Sequence, residues 1–335
     1  MFDTSLTTVT FSKMVDLLNR DWEKTAGNVS LGEASKLVMS ENVPKGNGDR
    51  KRKTEYDTDT FASRKVESGY ADKTRSGVGY EKDFIAVRFG KEFVISAEMR
   101  MWNKKDTVKA DWASLKRFLP ERRELDITHL ITFANVTSYV DKDGYTVDAT
   151  TGDGLELAHA SHTLTNSTDT YSSIISGAPA FSRTALETAE QAMATQIKNN
   201  FGDKRRKKFD KIFCSDTNPT AINTIMEFLN STASVADNKS SGVKNIYKDK
   251  YTLCVLPYLA TTPQGIYDAT KSNWWGIIAQ NGNPADSWQA YILTFEDDHT
   301  TTPREERNDD WVWGVRGAWA VGALSARGFM ISLAT

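Results

Sequence analysis

The stretch DTVKADWASLKRFLPERRELDITHLITFANV, residues 106–136, decides how the chain is organised. Its apolar residues recur at three- and four-residue intervals, which places them along one stripe of a helix. These residues are Val108, Trp112, Leu115, Leu119, Ile127, Leu130, Ile131 and Ala134. Asp106 is a candidate N-cap, and Pro120 predicts a kink or two helices in tandem because proline lacks a backbone donor. One continuous helix would be about 46 Å long at ~1.5 Å per residue and would serve as a strut.

The composition is that of a folded protein. The chain has 335 residues, of which 39% are hydrophobic and 26% charged, and its formal net charge is −2. This length predicts two or three domains, and no apolar run reaches the roughly 20 residues that a membrane helix needs. The first residues lack the basic and apolar regions of a signal peptide, which predicts a protein made in a cytoplasm. The near-zero charge gives no global attraction to nucleic acid or anionic membranes.

Residues 1–80 contain little that closes a core of its own. Residues 11–22 predict a short amphipathic helix, and residues 25–43 predict either a second short helix or an arm whose partner lies outside its own domain. Residues 44–80 are nearly free of aliphatic side chains, and loops of this length in compact domains are usually functional or disordered. Weak alternation in residues 55–70 favours a long two-stranded excursion over a disordered insertion.

The rest of the chain mixes helices with strands. Residues 84–97 predict paired strands at the base of the excursion, interrupted at Gly90. Residues 181–201 predict a helix, and the strand KIFCS (211–215) precedes another helix that has Pro219 near its start. The remainder is mostly strand, without a repeating strand–helix–strand period, so the predicted fold class is α+β. Both cysteines, Cys214 and Cys254, are predicted to be small buried hydrophobic residues rather than a disulfide.

No catalytic signature is present in the sequence. The phosphate-binding, dinucleotide-binding, nucleophile-elbow and zinc motifs are all missing, which predicts a protein that is not an enzyme and uses no cofactor. His159 and His162 have the spacing of a metal-ligand pair on a helical turn, but their polar surroundings favour packing within a loop. The aspartates of residues 141–154 favour tight turns over a calcium loop.

Three charged stretches remain: the basic runs 50–53 and 204–208 and the mainly acidic stretch 296–310. The basic runs could neutralise phosphates, although no aromatic stacking pattern accompanies them. Alternatively, these are solvated loops, or they meet between copies of the protein and fix the register of a symmetric interface.

Four segments, in chain order, resemble the major capsid protein of tailed bacteriophages, the Hong Kong 97 type fold, and most closely the Mu-like major head subunit family. FIAVRFGKEFVISAEM precedes the long helix, and DGLELAHASHTL, FSRTALETAEQAM and YTLCVLPYL follow it. The resemblance runs from about Phe84 to Leu259, and the strand-rich C-terminal part is consistent with it.

The resemblance implies a division of the chain into six parts. These are an N-terminal arm (1–45), an extended loop reaching over an adjacent subunit (46–92), a peripheral domain (93–204) with spine helix 106–136, an axial domain (205–288), a peripheral return (289–323) and a terminal axial strand (324–335). The implied function is self-assembly, as hexamers and pentamers, into an icosahedral phage head around double-stranded DNA bound without sequence specificity. The implied location is the virion, and the implied partners are a separate scaffolding protein, a portal and a decoration protein, with no membrane. Alternatives are an encapsulin-like or gene-transfer-agent container, a DNA-binding protein using residues 204–208, or a hydrolase using His159 or His162.

Two groups of charged residues are candidates for contacts in such a shell. The candidates for contacts between subunits are Arg50, Lys51, Arg52, Lys53, Arg64, Lys65, Glu296, Asp297, Asp298, Arg304, Glu305 and Glu306. The candidates that face the interior or the DNA are Lys204, Arg205, Arg206, Lys207 and Lys208.

Overall fold

A computed structural model describes most of the chain. The described residues are 13, 16–22, 32–46, 48–59, 61–65, 67–102, 104–205, 208–231, 245–280, 287–306 and 308–334. Helices α1 to α4 are Ala97–Met101, Lys105–Thr132, Arg183–Gln196 and Pro219–Asn230. Strands β1 to β15 are Met39–Asn42, Arg50–Thr58, Ser76–Ile85, Val87–Ile95, Ser138–Val140, Thr146–Asp148, His162–Leu164, Ser167–Tyr171, Lys211–Ser215, Thr252–Leu256, Trp275–Ile278, Ala290–Thr300, Arg304–Glu305, Trp311–Ala323 and Phe329–Ser332. The predicted α+β class is confirmed.

The long helix α2 is one helix of 28 residues with Pro120 inside it, so the alternative of two helices in tandem is wrong. The predicted apolar stripe is buried from Val108 to Ala134. Asp106 is not the N-cap, because the helix begins one residue earlier and Lys104 occupies the cap position without a side-chain hydrogen bond. The strut inferred from periodicity is therefore present, with different ends.

The first sheet packs one face against α2. Its strand order is β1–β12–β14, β4 pairs with β14, and the short β13 pairs with the start of β14. Trp112 of α2 stacks on Trp313 of β14 with ring centroids 4.3 Å apart, and Arg123 lies 4.6 Å from the ring centroid of Trp319. These contacts belong to the larger of the two main cores, which also takes in the buried stripe of α2.

The strands that follow the excursion do not pair with each other, contrary to the prediction for residues 84–97. β3 and β4 run one after the other with a break at Ala86, not at Gly90. β3 pairs with β2, and β4 pairs with β14 in an antiparallel register from Trp311↔Ile95 to Trp319↔Val87. The partner of β4 lies more than 200 positions away, and local alternation carries no information about such pairing.

A second core forms around the sheet β10–β9–β11–β15. α4 packs there through Ile225 and neighbouring residues, and α3 packs there through Leu186, Ala189 and Met193. The division implied by the resemblance places residues 183–196 in the segment 93–204, and the structure packs the buried face of this helix in the second core. Ser182 caps α3 by accepting a hydrogen bond from the backbone N–H of Ala185, and the helix ends at residue 196 rather than 201.

Both cysteines are free and buried, as predicted. Cys214 belongs to the second core and Cys254 to the first, because they lie on opposite faces of neighbouring strands. Burial raises the pKa of Cys254 to about 11, so its thiol stays protonated near neutral pH.

The described part of the arm, residues 32–43, packs against α2 and the first sheet of its own subunit. Ala34 and Leu37, in the 3-10 helix Glu33–Leu37, are fully buried in the first core. The N–H of Ala34 donates to Oε1 of Glu124 on α2 at 2.8 Å, and β1 pairs in parallel with β12. Residues 1–12 and 23–31, and part of the predicted helix 11–22, lie outside the described residues.

A pH dependence arises where α2 meets the sheet. Asp126 accepts hydrogen bonds from Arg122 Nε and Trp319 Nε1, both at 2.9 Å, and burial raises its pKa to about 6 despite these donors. The folded protein therefore holds this proton more tightly than the unfolded chain. The contribution of Asp126 to the free energy of unfolding is full below about pH 3.8, the usual pKa of an aspartate. It falls as the pH rises and is lost by about pH 6, by at most about 3 kcal/mol in all. We expect Asp126→Asn to remove this slope in urea unfolding measured from pH 4 to 7; parallel curves for the variant and wild type would contradict the assignment.

Candidate intersubunit surface

The hairpin of β2 and β3 carries several of the charged residues predicted at contacts between copies. Arg50 pairs with Asp83, and Arg52 pairs with Asp83 (Nε to Oδ1, 2.9 Å) and with Glu81 (Nη1 to Oε2, 3.2 Å). Hydrogen bonds from Arg52 and Arg50 hold the pKa of Asp83 well below its usual range. Solvent-exposed pairs of this kind contribute little to stability. Both arginines thus have partners within their own hairpin.

The two lysines of the same run differ in their surroundings. Lys53 pairs with Glu41 of β1, and its Nζ lies 4.8 Å from the ring centroid of Tyr291 on β12. Lys51 is half-buried. The contacts of Lys53 place β2 over the β1–β12 side of the first sheet.

The end of the hairpin, residues 59–75, is called the tip below. Its described residues are exposed except for Asp59 and Gly69, which are half-buried. Arg64 and Lys65 lie there with exposed side chains. Phe61 is 69% exposed and Tyr70 is fully exposed. Two bare aromatic rings on a charged loop without a core are typical of a surface that is covered by another molecule.

The strands of the hairpin, in contrast, are held on their own subunit by buried charges. Glu55 and Asp57 of β2 are 2% and 4% exposed. Arg327, itself 6% exposed, donates from Nη2 to Glu55 and from Nη1 to Asp57 Oδ2 at 2.8 Å. Arg205 pairs with the other oxygen of Asp57, and Asn200 donates its backbone N–H to Asp57 (3.0 Å) and its Nδ2 to Glu55 (3.2 Å). Residues 198–205 and 325–327, which hold Glu55 and Asp57 of the hairpin, are called the hairpin seat below.

Two glycines of β3 allow the close approach to the body. A Cβ on Gly77 would lie 2.8 Å from Asn166 Nδ2, and a Cβ on Gly79 would lie 2.5 Å from Asn200 Nδ2. Neither glycine has a positive φ, so the requirement is space rather than backbone freedom. The hairpin therefore fits its seat closely, and only the tip projects.

Sequence reasoning missed the hairpin seat. Glu55 and Asp57 are two residues apart on a strand, which places both carboxylates on one face. Charged alternation is normally a solvated face, and nothing local marks Arg327 as their partner 270 residues away. Only the fold brings the two segments together.

The acidic stretch is largely engaged within the subunit. Asp298 is mostly buried and pairs with Arg123 of α2 at 2.6 Å, while burial keeps its pKa raised. Arg304 makes a two-point contact with Glu92 of β4, both bonds at 3.0 Å. These interactions fasten the stretch to its own sheet.

The other members of the stretch lie at its surface. Glu296 is 3.5 Å from His299 and 3.7 Å from Arg316, and Glu306 is 3.6 Å from Arg304. Glu305 accepts from Trp311 Nε1 at 3.2 Å, and Asp297 is exposed.

The basic run 204–208 is not a uniform patch. Lys204 and Lys208 are exposed, whereas Arg205 is bound to Asp57 in the hairpin seat. Arg206 and Lys207 lie outside the described residues.

The histidines of the polar loop pack within it. His162 is fully buried, with Nδ1 2.7 Å from Asp153 and Nε2 3.2 Å from Ser173 Oγ. Burial opposes ionisation of Asp153, but hydrogen bonds from His162 and Thr151 outweigh it and lower the pKa of this carboxyl. Within the described residues there is no group of three or more His, Cys, Asp or Glu side chains placed to hold a metal. Among the helices in that part of the chain, none is long and apolar enough to cross a membrane.

Comparison with solved structures finds proteins of similar length and low sequence identity. A virus-like particle protein from Pyrococcus furiosus is 11% identical and aligns over 94% of this chain and 97% of its own, with a TM-score of 0.48. The cyanophage Pam1 capsid is 11% identical over 91% of each chain, with a TM-score of 0.49. A phage-related protein from Bordetella bronchiseptica RB50 is 12% identical over 93% of this chain and 95% of its own, with a TM-score of 0.48.

No protein-family model matches the sequence. No curated protein matches it either.

Proposed function

We propose that this chain is the repeating subunit of a closed protein shell, and specifically the major capsid protein of a tailed-phage head around double-stranded DNA. The observation that carries the proposal is the hairpin. Its strands are fixed on the subunit by buried charges, while its tip presents Phe61 and Tyr70 to solvent. A hairpin that is fixed at its base and carries exposed aromatic rings at its tip can bury those rings only against another molecule. In a shell of identical copies, many such contacts of modest strength sum to a stable assembly.

The remaining architecture fits the same role. The sheet on α2 would be the peripheral domain, and the second core would be the axial domain. Residues 32–43 would anchor the N-terminal arm, and Arg64 and Lys65 of the tip would approach an acidic surface on the next copy, where exposed Asp297 is one candidate.

The finer partners belong to the same proposal. Capsomers of six and five copies, a scaffolding protein, a portal and a decoration protein would complete the head in the host cytoplasm. Lys204 and Lys208 would face packaged DNA and neutralise phosphates without reading sequence. Assembly requires no catalytic chemistry from this chain.

The test is expression of the full chain together with a scaffolding protein from the same gene neighbourhood. Density-gradient sedimentation and nuclease treatment of the fast fraction distinguish the levels of the proposal. Co-expression is expected to give closed particles in the fast fraction, and the same treatment of particles purified from infected cells is expected to leave nuclease-resistant DNA. Closed particles that never hold DNA would contradict the phage-head assignment, and a chain that sediments only as a monomer would contradict the shell.

The basic run provides a second prediction. Changing Lys204 and Lys208 together to Glu is expected to leave the free energy of unfolding within about 0.5 kcal/mol of wild type, since both are exposed. DNA retention in particles should fall several-fold, because two phosphate contacts per copy become repulsive. The matched control is Lys109→Glu with Lys248→Glu, which makes the same charge change at exposed positions elsewhere. Equal DNA retention by both double variants would show that residues 204–208 are a solvated loop that does not contact DNA.

A further inference from the structure

An unpaired strand edge runs along the first sheet. Within the described part of the chain, β4 pairs with β14 alone, so its other edge has no partner strand. The hairpin does not cover this edge, because Lys53 places β2 on the β1–β12 side. Gly90 is exposed, and since glycine has no side chain its exposure is that of the backbone itself. A free edge of nine residues is a template for another strand.

The side chains along β4 protect its edge only in part. Arg88, Lys91 and Glu92 are charged, and charged side chains are one of the devices by which proteins keep an edge unpaired. Val87 and Val94, however, are 50% and 49% exposed, and neither proline nor a bulge interrupts the strand. Arg88 is exposed, and Glu92, on the same face, has a side chain that is 40% exposed, so charges of both signs are available to a partner strand.

We propose that the free edge of β4 pairs antiparallel with β4 of a second copy, about a two-fold axis that passes through Gly90. A two-fold axis perpendicular to a sheet keeps each face on the same side. Residues opposite each other must therefore belong to the same face, which restricts the register to a small number of alternatives.

Charge selects among these registers. Centring the pair on Gly90 sets Arg88 opposite Glu92 of the partner, twice by symmetry, and sets Val87 opposite Phe93 of the partner. Centring it on Lys91 or on Glu92 would set two like charges directly opposite each other, which is unfavourable. Glu92 already receives Arg304, and a carboxylate accepts from two arginines.

At the two-fold axis the two β4 strands can approach each other closely. Gly90 meets Gly90 of the partner subunit, so no side chain separates the two backbones at the axis. Each Lys91 lies opposite Phe89 of the partner on the face that packs against α2, where Lys91 already lies 5.8 Å from the ring centroid of Phe118. The edge is thus self-complementary in charge, in apolar contact and in backbone access.

This inference does not depend on the proposed function, because the pairing would make a dimer with or without a shell. The experiment is disulfide trapping in the full-length protein at high concentration, as well as in any particle fraction. The native cysteines are buried and do not interfere. Gly90→Cys is expected to give a disulfide-linked dimer on mild oxidation, because directly opposed Cβ atoms lie about 4.5–5.5 Å apart. Val94→Cys is the matched control; two copies of this exposed position would be roughly 26 Å apart at ~3.3 Å per residue.

Two further variants keep the test decisive. A Cβ on Gly90 would lie 3.1 Å from the carbonyl oxygen of Val315, so Arg88→Cys with Glu92→Cys serves if the first variant does not fold. In sedimentation, Arg88→Glu should weaken dimerisation several-fold, because it sets two carboxylates opposite each other, whereas Arg88→Lys should leave dimerisation nearly unchanged. Absence of a cross-linked dimer from both cysteine variants, equal cross-linking of Val94→Cys, or dimerisation of Arg88→Glu equal to that of wild type would overturn the proposal. Protection of the Gly90 amide from hydrogen exchange without a cross-linked dimer would assign the edge to a different strand and would also overturn it.

Discussion

Replacing Arg327 by methionine is expected to lower the free energy of unfolding by about 3–5 kcal/mol, because two buried carboxylates then lose their shared cation. Arg327 is almost fully buried, and burial lowers its pKa only to about 10, so it remains charged near neutral pH. Glu55 and Asp57 keep Asn200 and Arg205 as donors, which do not replace the guanidinium. Urea unfolding followed by tryptophan fluorescence measures the loss.

The control is Arg50→Met, which removes an arginine–aspartate pair from the same hairpin. Arg50 is 57% exposed, so the cost should be small beside that of Arg327→Met. A triple variant with Glu55→Gln, Asp57→Asn and Arg327→Met should recover part of the lost stability, since no unpaired charge then remains buried. If Arg327→Met costs no more than Arg50→Met, the hairpin is not held by the buried cluster.

Removing the tip is expected to abolish shell formation while leaving the subunit folded. One further hydrogen bond lies just beyond the ends of the strands, where the N–H of Asp59 donates to the carbonyl of Arg75 at 3.1 Å. Replacing residues 60–74 by Asn-Gly would close the hairpin with a two-residue turn that suits its twist. Because the described residues of this segment are exposed apart from the half-buried Gly69, the free energy of unfolding should change by no more than about 1 kcal/mol.

The matched variant Phe61→Ser with Tyr70→Ser keeps the loop and removes only the exposed rings. It should reduce particle yield strongly while its urea unfolding curve overlays that of wild type. Particles formed at wild-type yield by the shortened hairpin would show that the tip is not a contact between copies. Loss of cooperative unfolding in the variant with the shortened hairpin would mean that the tip belongs to a core.

The residues that can be removed with the tip could not be identified from the sequence alone. From the sequence, residues 50–75 form one polar excursion, and removing all of them should spare the fold. The structure divides this stretch at Thr58: Glu55 and Asp57 are internal partners of Arg327, and only the tip is free. Deleting residues 50–75 would therefore leave Arg327 as an uncompensated buried cation.

Local periodicity predicted the elements that depend on local pattern. The stripe of α2 and the helices near residues 183–196 and 219–230 follow from spacing, and their ends differ by a few residues because capping competes with propensity. Pairing of β4 with β14, insertion of Ala34 into the first core and the hairpin seat all join segments far apart in the chain. Those contacts depend on three-dimensional placement, which neither alternation nor charge runs encode.

We propose that copies of this chain form a closed shell through their hairpin tips. The decisive experiment is cryo-electron microscopy of the chain co-expressed with its scaffolding protein. We predict closed icosahedral particles in which the tip of each copy, with Phe61 and Tyr70, is buried on a neighbouring copy while Glu55 and Asp57 remain on Arg327 of their own subunit. Monomers or small oligomers alone, or shells in which the tips stay exposed to solvent, would contradict the account.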